Sequence, residues 1–172
     1  MLRYMNTFLL GAIVLFFGIV IACYCSVSSD GFLAGSSSGA DWESLILRFA
    51  AGLWSGLRGR RAVLVWPAVF VAAAMLGFGC ARTGMQIPFV DMSAGISEML
   101  FGILVVLNIR IGLLMGAVIV AFVAFVFGVG HGIGASATDM LGYAAGFLVS
   151  TIVLLALGVL LSIALRGRHV VE

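Results

Sequence analysis

The stretch AFVAFVFGVGHGIGASATDMLGYAAG, residues 121–146, joins two long apolar runs through a glycine-rich junction carrying one histidine. Crossing the ~30 Å hydrocarbon core of a bilayer takes roughly 20 consecutive apolar residues in a helix. The runs on either side of the junction, 111–127 and 140–165, have the length and composition to be such helices. His131 is the sole histidine within the apolar part of the chain; His169 stands in an arginine-rich tail.

The rest of the chain has the same character. Hydrophobic residues make up 63% of the 172, charged residues 9%, and the mean hydropathy of +1.27 is that of an integral membrane protein. A chain of 172 residues supplies about six spans and leaves no room for a soluble domain. The fold class is therefore all-α, a single polytopic transmembrane domain over 1–172, with approximate helices at 7–27, 42–58, 62–81, 91–108, 111–130 and 139–165. The first run, after Arg3, has the layout of a signal peptide, but it is long enough to span and is read as a retained helix. It is followed by the polar segment SSDGFLAGSSSGAD. Pro67 falls near the start of the third run, where the first N–H groups of a helix have no intrahelical partner to lose.

Charge placement supplies the topology. All nine basic residues are arginine, and short arginine-rich loops stay on the cytoplasmic side. Six crossings put Arg3, Arg58, Arg60, Arg61, Arg110, Arg166 and Arg168 on one face, and Asp30, Asp41, Asp91 and Asp139 with Arg82 alone on the other. Five or seven crossings would scatter the arginines. Both termini are expected in the cytoplasm. A net charge of +2 gives no support to nucleic-acid binding; the expected surroundings are the lipid bilayer and other membrane subunits. Glycines four apart, Gly112/Gly116, Gly128/Gly132 and Gly142/Gly146, mark close helix contacts, with packing as the plainer role.

The same topology brings three polar junctions to one membrane face: Asp41, Glu43 and Ser44 entering the second span, Pro88 and Asp91 entering the fourth, and His131 leaving the fifth, where the glycine series should loosen the helix. Carboxylates with an imidazole suit a divalent first-row metal, and ionisable groups within a membrane are functional candidates. His131, Asp91, Asp41 and Glu43 are thus candidate metal ligands, whereas Asp30 and Asp139 read as solvated loop acids. Arg48 and Glu98 lie deeper, each seven residues from Asp41 and Asp91 respectively, hence at a common depth of roughly 10 Å. An intramembrane ion pair between them offsets part of the cost of burying either charge; Glu98 as a cation way-station is the alternative. Cys23, Cys25 and Cys80 allow one disulfide in an oxidising compartment or three buried thiols. Met85, Met92 and Met99 recur every seven residues, as core-filling methionines do. No nucleophile–base arrangement, phosphate loop or dinucleotide fingerprint is present, so no enzyme activity is expected.

Several of these segments, taken in order, resemble the HupE/UreJ family of bacterial membrane proteins, which are regarded as nickel or cobalt permeases. AAGLWSGLRGRRAVLVWPAVFVAAAMLGFG (50–79) is similar to that family's Gly-Leu-Trp segment and the Pro-Ala-Phe-Val-Ala-Ala run after it. PFVDMSAGIS is similar to its Pro-Phe-Val-Glu motif, with Asp91 at the acid. FGVGHG and LGYAAGFLVSTIVLLALG are similar to its histidine motif and the following helix. The resemblance implies a transported divalent metal and no resident cofactor.

The departures fall on the family's metal-binding positions. Where its His-Pro-x-x-Gly-x-Asp-His motif is expected the chain reads SSSGADWES. Alignment on Gly39 and Asp41 puts Trp42 at the second histidine; alignment back from Trp54 puts Glu43 and Ser44 at the Asp-His positions. In VFGVGHG, Phe127 takes the place of the first histidine of Phe-His-Gly-x-Ala-His-Gly and His131 keeps the second, while Gly134 stands near an expected glutamate. Two functions are compatible with this pattern: a permease working through Asp41 or Glu43, Asp91, Glu98 and His131, or a non-transporting membrane subunit or assembly factor of a larger complex.

Overall fold

The computed structural model describes residues 29–37, 42–84, 90–107, 109–135 and 139–168. Every regular element among them is a helix: α1 (Ser29–Ser37), α2 (Trp42–Arg58), α3 (Arg60–Arg82), α4 (Val90–Val106), α5 (Leu113–Gly134) and α6 (Met140–Arg168). The first expected span, 7–27, lies outside the described residues. Among the described residues, three segments are long and apolar enough to cross a membrane: Arg60–Arg82, Leu113–Gly134 and Met140–Leu165. At 17 residues each, α2 and α4 reach only ~25 Å. Leu76, Leu114, Phe122 and Leu141 are all more than half exposed, an apolar exterior suited to lipid rather than water.

Glycines decide which helices touch. α3 packs most extensively on α5, and α1 and α2 both pack on α6. In the first pair, a side chain at Gly128 would collide with the Ala74 carbonyl. One at Gly132 would come within 2.7 Å of the Phe78 carbonyl and the Ala81 methyl, and one at Gly116 would enter the Trp66 ring. In the second, Gly35 and Gly146 bring α1 and α6 backbones together, while Gly52, Gly56 and Gly158 do so for α2 and α6. Small residues permit this close approach, and dispersion between backbones replaces the hydrophobic drive that lipid cannot supply. Gly112 stands open at the N-cap of α5, and Gly142 is buried.

The contact order gives the directions. Trp66, Ala74 and Phe78 on α3 meet Gly116, Gly128 and Gly132 on α5, so residue numbers rise together and the two helices run parallel. Likewise Gly35, Gly52 and Gly56 meet Tyr143, Leu155 and Ser162, so α1 and α2 follow each other along α6 in its own direction. The C-terminal end of α2, the N-terminal ends of α3 and α5 and the C-terminal end of α6 therefore share one end of the bundle. At the opposite end Arg82 Nη1–H donates to the Ala135 carbonyl at 3.2 Å. Between the ends runs a column of rings that includes Trp54, Trp66, Phe70, Phe101, Phe127, Phe147 and Phe78.

In four places the structure departs from the sequence reading. The polar segment after the first run contains α1, a helix held by backbone contact with α6. Asp139, read as a solvated acid, is half-buried and caps α6: its carboxylate accepts the Gly142 N–H at 3.0 Å, satisfying one of the helix's orphan donors. α5 continues through the glycine series to Gly134, because Gly128 and Gly132 seat against α3 while Gly130 and Gly134 face open space. α3 begins at Arg60, so Pro67 falls beyond the first turn and the Val63 carbonyl loses its usual helical donor.

Candidate functional site

His131 sits near the C-terminal end of α5, one turn after Phe127. Residues four apart share a helix face, and the two rings lie 4.3 Å apart between centroids. Phe147, brought in by α6 next to the close contact at Gly146, stands 4.7 Å from the imidazole on another side and 5.6 Å from Phe127. Both phenylalanines are buried, and His131 is half-buried between them. The imidazole Nδ1 is 3.1 Å from the Phe127 carbonyl oxygen. A carbonyl only accepts, so the hydrogen bond requires the proton on Nδ1 and leaves the neutral ring's lone pair on Nε2.

Arg48 reaches the same rings from α2. It is 0% exposed, and its guanidinium lies 5.3 Å from the Phe127 centroid, within cation–π range. Nε–H donates to the Ser44 carbonyl at 3.0 Å and Nη1–H donates to Ser150 Oγ at 2.8 Å, while the Ser150 hydroxyl donates to the Phe147 carbonyl at 3.1 Å. A buried guanidinium thus links α2 to α6 over the Phe127 ring that lies against His131. Ser150 and Phe147 were missed by the sequence reading; the available signal was the Ser150–Thr151 pair inside an otherwise apolar helix, since polar side chains in membrane helices seek partners on neighbours. Close by, the buried Thr151 hydroxyl and Trp54 indole N–H have no hydrogen-bond partner among the described residues.

Of the expected metal ligands, the structure places His131 in this aromatic setting. Asp41 lies outside the described residues, as do the side chains of Glu43, Asp91 and Glu98, although Glu43 is the second residue of α2 and Asp91 the second of α4. Among the described residues no three of His, Cys, Asp and Glu cluster with metal-binding geometry. Cys80 is half-buried and forms no disulfide with a described residue; Cys23 and Cys25 lie outside them. Met99 is 70% exposed, pointing away from the core.

Comparison with known proteins agrees with the sequence motifs. The family model described as HupE / UreJ protein matches residues 11–171. Protein HupE of Rhizobium leguminosarum bv. viciae is 30% identical over 140 residues, covering 79% of this chain and 72% of that protein. No solved structure matches. With a match over nearly its whole length, the chain belongs to the HupE/UreJ family and is a membrane protein whose apolar helices face lipid.

Proposed function

We propose that this protein is a divalent-metal permease with a reduced ligand set, a single transmembrane domain that carries nickel or cobalt across the bacterial cytoplasmic membrane. Six crossings with both termini in the cytoplasm follow from the charge sorting. The parallel α2/α6 and α3/α5 pairs support that topology, because helices separated by an even number of crossings run the same way. The ion is the cargo, and the protein performs no covalent chemistry.

The observation that carries this reading is the Nδ1–Phe127 carbonyl hydrogen bond of His131. A metal-binding imidazole uses its second ring nitrogen in this manner, which fixes the tautomer and directs the other nitrogen at the ion. Asp91, with Asp41 or Glu43, would supply carboxylate oxygens, and Glu98 would balance Arg48. One imidazole with carboxylates gives a weaker hold than a cluster of histidines, which suits an ion that must be released.

Arg48 favours a second reading, that of a non-transporting subunit or assembly factor. Its fixed positive charge lies against Phe127, the residue standing where the family motif has its other histidine, and it opposes a cation there unless a carboxylate neutralises it.

Metal content and uptake separate the two. In proteoliposomes the wild-type protein should accumulate nickel or cobalt ions and retain near-stoichiometric metal on purification, and His131→Ala should lose both. Metal-free protein that takes up neither ion and co-purifies with other membrane subunits would establish the second reading instead.

A further inference from the structure

At the end of the bundle away from His131, the turn between α2 and α3 and the segment leading into α5 line an open-mouthed cavity of about 350 Å³. This is within the usual size of small-ligand sites, ~300–1,000 Å³. Arg58, Arg60 and Arg61 line one wall, and Ile111 and Leu113, next to Arg110, line the other. The Arg58 guanidinium donates to the Ile109 carbonyl, which ties the two walls together and brings the charges of Arg58 and Arg110 within mutual influence. Trp66 closes the floor, its indole N–H donating to the Leu113 carbonyl at 3.0 Å, and its ring lies 4.5 Å from that of Trp54 at an interplanar angle of 40°.

Like charges repel, so three arginines around one opening, with Arg110 beside it, require an anion or solvent to screen them. Residues 44–90 and 99–138, which supply all of these walls, contain no Asp or Glu. Gly59 makes the turn at φ 114°, a left-handed-region conformation that a side chain would disfavour, and it puts no side chain across the mouth. The first turn of α3, which lines the same space, has no side-chain cap.

We infer that this cavity binds a phosphate-bearing anion, either the headgroup of an anionic phospholipid or a free phosphate compound. Guanidinium forks match phosphate oxygens bidentately, and Arg60, Arg61 and Arg110 are exposed where a ligand can reach them. The apolar Ile111 and Leu113 edge of the cavity suits the glycerol and upper acyl carbons of a lipid.

The test uses the full-length protein in detergent. Native mass spectrometry measures retention of phosphatidylglycerol against phosphatidylcholine with the same acyl chains, and thermal unfolding is followed with and without inorganic phosphate. A preference for phosphatidylglycerol of about tenfold or more, falling about tenfold in Arg60→Gln/Arg61→Gln, supports the lipid headgroup as ligand. Stabilisation by inorganic phosphate with no lipid preference, lost in the same double variant, supports the free anion. Arg110→Gln, beside the opposite wall, should reproduce the loss should the double variant fail to fold. Equal retention of both lipids with no response to phosphate in the wild-type protein overturns the assignment, as does full preference surviving in both variants.

Discussion

Arg48 and the turn of Arg58, Arg60 and Arg61 place the same side-chain chemistry at two depths along one helix and the turn that follows it. Arg48 is wholly buried, with its guanidinium on a backbone carbonyl, a hydroxyl and an aromatic face. Arg60 and Arg61 are exposed around a cavity. Burying a cation costs several kcal/mol after relaxation, so each group around Arg48 is a condition of its being there. A charge at the wet end needs no such company, and it remains available to bind something from outside. The interior arginine is part of the scaffold that presents His131; the outer ones are disposed as a receptor. Each prediction below presses on this division.

The largest effect is expected where the scaffold brings backbone against backbone. Gly128→Val would drive a branched side chain into the Ala74 carbonyl and separate α3 from α5, costing about 3 kcal/mol or preventing accumulation. Thermal unfolding in detergent reports this, and a wild-type melting curve would contradict the close approach. Gly130→Val, facing open space two residues away, should cost far less.

Next comes the support of the buried charge. Ser150→Ala removes the hydroxyl that accepts from Arg48 and should destabilise by about 1.5–3 kcal/mol, the range for hydrogen bonds to charged groups. Thr151→Val, at the adjacent position, removes a hydroxyl that has no hydrogen-bond partner among the described residues and should be neutral or slightly stabilising. If the two variants behave alike, Arg48 is not held as described.

The smallest effect on stability belongs to the wet end. Arg60→Gln/Arg61→Gln should change the unfolding free energy by less than about 0.5 kcal/mol in the absence of added anion. A large loss would mean that these arginines brace the fold in the way Arg48 does.

The long helices were legible because apolar runs of this length have few other uses, and the family was legible because several short motifs occur in order. α1 was not, since SSDGFLAGSSSGAD has the composition of a loop. Its helix depends on Gly35 and Gly146 allowing contact with α6, and that contact exists only once the chain has folded. The end of α5 was misread for a related reason: alternating glycines weaken an isolated helix, yet half of them are where α3 packs. The Ser150 acceptor of Arg48 was not legible because it follows from α2 lying on α6. α4 also touches α2, through the Trp54–Phe101 ring contact, and the Glu98 side chain it carries lies outside the described residues. His131 was identified from its isolation in apolar sequence; its two flanking rings and its carbonyl partner required the fold.

The proposed metal role of His131 requires that the Phe127 carbonyl hold the imidazole proton on Nδ1, with the lone pair on Nε2. Nitrogen-15 NMR of the imidazole tests it directly, because His169→Gln leaves His131 as the sole histidine. The account predicts an unprotonated Nε2 resonance at neutral pH that shifts or broadens on adding nickel or cobalt ions while Nδ1 stays protonated. A protonated Nε2, or a spectrum indifferent to both ions, would contradict it.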